Sequence, residues 1–248
     1  MQDPEFSIII PARNEERLIG QTIDHVLAAG SHFAATGRDS PARHWELIVV
    51  DNGSTDGTQA VLERYAGRPE VSVVHLETAG AARARNAGRA RARGRILLFV
   101  DADTMIPPDC LRRIADHCHQ RDNAAGITSL GTLDGGFRAR LWWGFWNSVR
   151  RLPLAKAKAM PALMFCTAGA FDTHGPFDED VAIGEEWPIL AGLYRRSPEA
   201  VVYDRSIVAR SSSRRMDRRP FGYSRTFLRY VWAILHRSGR INYGDKIR

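Results

Sequence analysis

The 248-residue chain is poor in lysine, with three against 32 arginines, and has only three cysteines. It also lacks any run of the roughly 20 apolar residues that would cross a bilayer, so a transmembrane reading is set aside. Cys110, Cys118 and Cys166 do not pair off evenly and show no metal-ligand spacing, which leaves free thiols in a reducing compartment as the simple expectation. His117-Cys118-His119 has the look of a metal site, but helix neighbours at i and i+2 point about 200° apart and would not converge. The opening Met1–Phe6 has no basic region followed by an apolar one, so no secretory signal is expected there. A cytoplasmic protein, with the inner face of the membrane as a variant, is the resulting expectation. Neither Gly-x-Gly-x-x-Gly after the first apolar run nor Gly-x-x-x-x-Gly-Lys occurs, which removes the usual dinucleotide fingerprint and the triphosphate-cradling loop.

What is present is ordinary in bulk and uneven in placement. The hydrophobic fraction of 44% suits a folded globule, and the length suits one large domain or one domain with an elaborated tail. Net charge is +7, yet residues 205–248 carry an excess of ten positive charges, so the preceding body is slightly acidic. A basic tail on an acidic body implies an anionic partner at that end: a diphosphate, a lipid headgroup surface or nucleic acid. Nucleic acid is disfavoured, because aromatic residues interleave the charges but no nucleic-acid-binding module is recognisable.

From residue 5 to 104 strand and helix patterns alternate. Phe6–Pro11, Trp45–Val50, Val71–Leu76 and Arg95–Val100 read as strands. Glu15–Ala29 carries Leu18, Ile19, Ile23, Val26 and Leu27 at helical spacing. A second helix, capped by Thr55 or Asp56, carries Val61, Leu62 and Tyr65, and Ala81–Arg93 is a third. Strands separated by helices predict right-handed crossovers and a mostly parallel sheet flanked by helices, an α/β fold. Every strand ends in polar or glycine-rich sequence, and these ends would share one edge of the sheet, where open α/β sheets bind ligands.

The most informative of these ends is Ile96–Thr104, ILLFVDADT, an apolar run that stops at Asp101 and Asp103. Period-two alternation would aim both carboxylates to one side and Ala102 to the other. Two carboxylates so close repel unless a cation joins them, and a divalent metal carrying a diphosphate is the natural candidate. The plainer alternative is a turn that caps a helix.

FSIIIPARNEE, WELIVVDNGSTDGT and GAARARNAGRARARGRILLFVDADT, in that order and spacing over residues 5–110, resemble the family 2 glycosyltransferases, which have the nucleotide-sugar-binding GT-A fold. The resemblance implies that Pro11, Arg13 and Glu15 line the nucleoside pocket and that Asp51 reads the base edge. It further implies that Arg85 lies near base or ribose, that Asp101 contacts ribose or a metal-bound water, and that Asp103 binds a magnesium or manganese ion. Asn52 stands where many relatives have a second Asp. An acidic pair opening a helix forms the acceptor side in that family; here it is Glu185-Glu186, after Gly175-Pro-Phe-Asp-Glu-Asp180. Displacement at an anomeric carbon needs a base for the acceptor's proton, and Glu186 is preferred to Glu185, with Asp178 or Asp180 next. The plainer reading is that both glutamates complement a helix dipole.

The expected organisation is a single domain: a donor half (5–110), an acceptor and catalytic half (111–204) and a basic helical tail (205–248). In the second part, Phe137–Arg151 reads as an amphipathic helix over the sheet, with a membrane-interface segment as the sharper alternative. Residues 205–219 read as a polar loop whose Arg214 and Arg215 could close over a diphosphate. Phe221–Arg237 plots as a helix with Tyr223, Phe227, Leu228, Val231, Ile234 and Leu235 on one arc and Arg225, Arg229 and His236 opposite. Docking to the body, a homodimer contact and in-plane membrane binding all remain open for it. The activity expected is sugar transfer from a nucleotide-diphosphate donor to a sugar, lipid or small-molecule acceptor, inverting and metal-dependent. The alternatives are a nucleotide-sugar-binding scaffold without turnover and a sugar nucleotidyltransferase; the glycine-rich opening loop that typifies the latter is missing.

Overall fold

The computed structural model describes residues 3–36, 44–152, 162–181 and 183–235. Its strands are β1 (Phe6–Ala12), β2 (Trp45–Asn52), β3 (Val71–Leu76), β4 (Ile96–Val100), β5 (Thr104–Met105), β6 (Ala125–Thr132), β7 (Leu163–Thr167) and β8 (Val201–Ser211). Its helices are α1 (Ile19–Ala35), α2 (Thr58–Glu63), α3 (Ala81–Arg91), α4 (Cys110–His119), α5 (Phe137–Val149), α6 (Ala168–His174), α7 (Trp187–Arg196), α8 (Arg214–Asp217) and α9 (Gly222–Leu235). The eight strands form one sheet in the order β3-β2-β1-β4-β7-β6-β8-β5. Strands β3, β2, β1 and β4 are parallel, β7 runs antiparallel to β4 and β6, and β8 returns parallel to β6.

Apolar runs rather than alternating patterns build the central strands because both faces of the sheet are covered. Ile8, Ile10, Leu47, Val49, Leu98 and Phe165 point to one core, closed by α1 and α4. Ile9, Ile48, Val50, Leu97, Phe99 and Met164 point to the other, closed by α3, α6 and α7. Helix α3 comes very close to the sheet: a Cβ on Gly88 would stand 2.4 Å from the Ile9 side chain, so only glycine fits. Cys110, Cys118 and Cys166 are buried free thiols.

Several elements differ from the sequence reading. Helix α1 starts at Ile19 rather than Glu15, because Glu15 and Asn14 are held by a neighbouring turn. Asp56 does accept from the Thr58 amide and hydroxyl, but the capping residue itself is Gly57. Of the 205–219 segment read as a polar loop, residues 205–211 belong instead to β8, the sheet's longest strand, and Arg214–Asp217 to α8. Val201, Ile207, Ala209 and Ser211 face inward while Arg205 and Arg210 face out, a period-two pattern masked by arginines and by a register shift at Thr128/Ser129. Helix α5 lies against β6 with Ala139, Trp142 and Trp146 buried, as the amphipathic reading requires. Helix α9 does not bury the whole predicted arc: Tyr223, Phe227 and Tyr230 touch the rings of α5, while Leu228 is exposed. The side chains of Ile234 and Leu235, and His236 altogether, lie outside the described residues. His117 pairs with Asp204 at 2.8 Å and His119 with Glu5 at 2.5 Å, each on a different partner.

Candidate active site

The carboxyl ends of β1, β2, β3 and β4 meet at one edge, with Ala12 level with Asp51 and Asp51 level with His75. The turn after β1 is laced to the turn after β2. The Asn14 amide donates to Ser54 Oγ (3.1 Å), the Thr55 amide donates to Asn14 Oδ1 (2.8 Å), and the Glu15 amide donates to Thr58 Oγ1 (2.8 Å). Asn14 takes a left-handed backbone (φ 55°), a conformation its short polar side chain tolerates, and Gly53 does the same at φ 68°. Pro11 is half-buried at this edge and Arg13 is exposed beside it.

Asp51 is buried at the end of β2. It accepts from the Ser54 amide (3.1 Å), Gln59 Nε2 (3.0 Å) and the His75 ring (3.3 Å). Burial pushes its pKa up, but the hydrogen bonds from Ser54, Gln59 and His75 outweigh it, so the carboxyl sits below its ordinary value and stays ionised. Gln59 and His75 were not among the residues the sequence singled out.

Strand β4 stops at Val100, so Asp101 and Asp103 belong to a turn and strand alternation does not orient them. The turn is pinned instead by the Thr104 amide donating to the Asp101 carbonyl (3.0 Å) and by Thr22 Oγ1 donating to the Ala102 carbonyl (2.7 Å). Ala102 is buried under it, and both carboxylates reach the crevice partly exposed. Arg85, projecting from α3, bridges the crevice: Nη2 donates to Asp101 at 2.7 Å and Nη1 to Glu185 at 2.5 Å. Burial disfavours the guanidinium charge, but Glu185, Asp101 and Glu186 together raise its pKa above the ordinary value. Asp101 is nevertheless raised, by burial first and by Glu185 next, against the lowering effect of Arg85.

Glu15 is buried and forms salt bridges with both Arg214 and Arg215 of α8. Its carboxylate is thus covered by the two arginines in this arrangement. Beside it, burial lifts the Asp103 pKa to about 7, against the attraction of Arg215 and with help from Asp101 and Glu15. No hydrogen bond from a described residue reaches the Asp103 carboxylate. A half-exposed carboxylate held short of its preferred ionisation, next to a second one, fits a hard divalent cation bound through oxygen. Among the described residues no three His, Cys, Asp or Glu side chains converge on a point that could hold a metal ion.

Glu186 is the residue that caps the amino end of α7, is buried, and interacts electrostatically with Arg85 and with buried Arg150. Across the same crevice, Asn86 fastens the Phe177–Glu179 turn to α3: its Nδ2 donates to the Phe177 carbonyl (3.0 Å) and its Oδ1 accepts from the Phe177 amide (3.0 Å). Asn86 falls within the GAARARNAGRAR motif and Arg150 within the Phe137–Arg151 helix pattern, but nothing in the sequence assigns either a role of its own. The geometry thus makes two charge clusters in the crevice, Asp101, Arg85, Glu185 and Glu186 in one and Glu15, Asp103, Arg214 and Arg215 in the other, with Asp51 further along the edge.

Residues 7–171 match the model of the family described as Glycosyl transferase family 2. The chain belongs to that family. Among its relatives, TuaG of Bacillus subtilis (strain 168), named for teichuronic acid biosynthesis, is 37% identical over 136 residues, 53% of this chain and 50% of its own length. The dodecaprenyl-phosphate galacturonate synthase of Rhizobium johnstonii is 33% identical over 125 residues, 49% of this chain and 35% of its own length. The chain therefore spans half or less of the length of these curated relatives. The mannosyltransferase PcManGT of Pyrobaculum calidifontis, solved in complex with GDP-Man and Mn2+, superposes with a TM-score of 0.67 at 21% identity, over 96% of this chain and 66% of its own. That likeness shows the GT-A fold.

Proposed function

We propose that this protein transfers a sugar from a nucleotide-diphosphate donor to an acceptor hydroxyl in a single, inverting displacement. The observation that carries the reading is Arg85, which ties Asp101, just after β4, to Glu185, just before α7. Donor-side and acceptor-side carboxylates are thereby set around one fixed guanidinium. Residues 5–110 make the donor half and the acceptor half follows from residue 111, with residues 205–211 still part of strand β8 and the basic tail following them.

Asp51, kept ionised by three hydrogen-bond donors, presents a fixed acceptor to the base, with Pro11 and Arg13 beside it. Asp103, with Asp101 alongside, would hold magnesium or manganese. Bound there, the ion would offset the negative charge of the diphosphate as it leaves. Arg214 and Arg215 exchange Glu15 for the diphosphate oxygens and donate to them. Glu186, buried at the entrance to α7, takes the proton of the acceptor hydroxyl, while Arg85 holds Glu185 away from that task. A base on the acceptor side, opposite the leaving group, inverts the anomeric centre.

The solved relative binds GDP-Man with Mn2+, and another relative is named for a dodecaprenyl phosphate. A polyprenyl phosphate is accordingly the first acceptor to try, beside simple sugars. The test is release of nucleoside diphosphate from a panel of uridine and guanosine diphospho-sugars with manganese, with and without each acceptor. Acceptor-dependent release supports the reading. Donor binding with no release under any acceptor makes the protein a binding module instead.

A further inference from the structure

We infer that α5 and α9 together form a surface that docks on an anionic lipid bilayer. The two helices pack through rings: Trp142 on Tyr223 (5.7 Å between centroids), Trp146 on Tyr230 (5.4 Å) and Phe145 on Phe227 (5.7 Å). Trp142 and Trp146 are buried beneath this seam, while Phe145 and Phe227 lie at its exposed outer side. On α5 the stripe Phe137, Leu141 and Phe145 repeats every four residues and is 73%, 58% and 48% exposed. Just before α9 Phe221, and on it Leu228 and Trp232, at spacings of seven and four, are 84%, 67% and 40% exposed. Scattered apolar residues on a surface mean little, whereas two adjacent helices presenting parallel apolar stripes mark an interaction site.

Charge decides what the site receives. Residues 135–152 and 218–235 contain eight arginines and no Asp or Glu. Arg138, Arg140, Arg225 and Arg229 are exposed alongside the stripes. Aromatic and leucine side chains that insert to headgroup depth, rimmed by long cations whose stems stay apolar, match an anionic bilayer interface. A protein partner would have to be uniformly acidic at its rim and apolar at its centre, and a second copy of this chain would bring arginine against arginine. No helix among the described residues is long and apolar enough to cross a membrane, so the contact is in-plane. This inference does not depend on the transfer chemistry, because lipid binding is read without donor or turnover.

The experiment is co-sedimentation of the full chain with vesicles of phosphatidylcholine alone and of phosphatidylcholine with about a third phosphatidylglycerol, a surface on which each basic residue counts for about fivefold in affinity. Binding is expected only to the anionic vesicles and is expected to fall as salt rises. Arg225→Gln with Arg229→Gln should weaken it by roughly 25-fold. Leu141→Ser, Phe221→Ser and Leu228→Ser combined should weaken it by more than tenfold while leaving the thermal unfolding midpoint unchanged, since all three side chains are exposed. Brominated lipid should quench tryptophan emission in the parent and not in the triple variant. Failure of the parent to sediment with anionic vesicles at low salt overturns the inference. So does full binding by the triple variant, or a parent that is dimeric, ignores vesicles and becomes monomeric on the triple substitution.

Discussion

Replacing Arg85 with alanine removes the guanidinium that joins Asp101 to Glu185. The parent pair comprises two charge-assisted hydrogen bonds, 2.7 Å to Asp101 and 2.5 Å to Glu185, each worth about 1.5–3 kcal/mol when sheltered from water. Glu185 is well covered, so its bond keeps most of that value; Asp101 is 38% exposed, so solvent screening cuts its share to roughly 1 kcal/mol. The loss comes to about 3 kcal/mol, or some 6–12 °C in unfolding temperature for a domain of this size. The pH dependence follows from the direction of the Asp101 shift. Its pKa is already raised in the folded state, and losing Arg85 raises it further. An acid whose folded pKa is raised stabilises the fold at pH values below its unfolded pKa, and that contribution is lost as pH climbs through the folded value. The variant should therefore be much weaker at pH 8 than at pH 5. Urea unfolding of parent and variant at both pH values, without divalent cation, is the assay. A penalty below about 1 kcal/mol at pH 8, or one that is larger at pH 5, refutes the bridging role.

Asp103→Asn should stabilise the cation-free protein by roughly 2 kcal/mol at pH 8, because a folded pKa of about 7 makes the ionised parent carboxylate a burden that grows as pH rises from about 4 to 7; melting curves across that range check it. Glu186→Gln should cut turnover by roughly 10²–10⁴-fold with donor affinity spared, and steady-state kinetics beside Glu185→Gln will show whether the base has been assigned one residue off. Arg214→Ala with Arg215→Ala should weaken nucleoside diphosphate binding at least tenfold and nucleoside binding hardly at all, measured by calorimetry; it should also destabilise the fold, since buried Glu15 loses both partners.

The amino-terminal half was readable because its determinants are local. Four apolar runs, helical spacing between them and carboxylates at their ends lie within a few residues of each other, and both faces of those strands are covered. What closes the site is not local. Arg85 finds Glu185 a hundred residues away, and Glu15 finds Arg214 and Arg215 two hundred residues away. Asp51 meets His75 only because β2 and β3 pair in one register. Strand β8 escaped notice because outward arginines hide its alternation, and the buried Ser212-Ser213 pair that follows reads as loop until Asp134 is seen accepting from both hydroxyls. The insertion of antiparallel β7 between β4 and β6 has no local signature at all.

The most direct test of the central claim is calorimetric titration of a nucleoside diphosphate into the full chain with manganese and again with chelator, for the parent and for Asp103→Asn. The account predicts at least a tenfold gain in affinity from manganese in the parent, absent in the variant. Equal affinity with manganese and with chelator in the parent would contradict it.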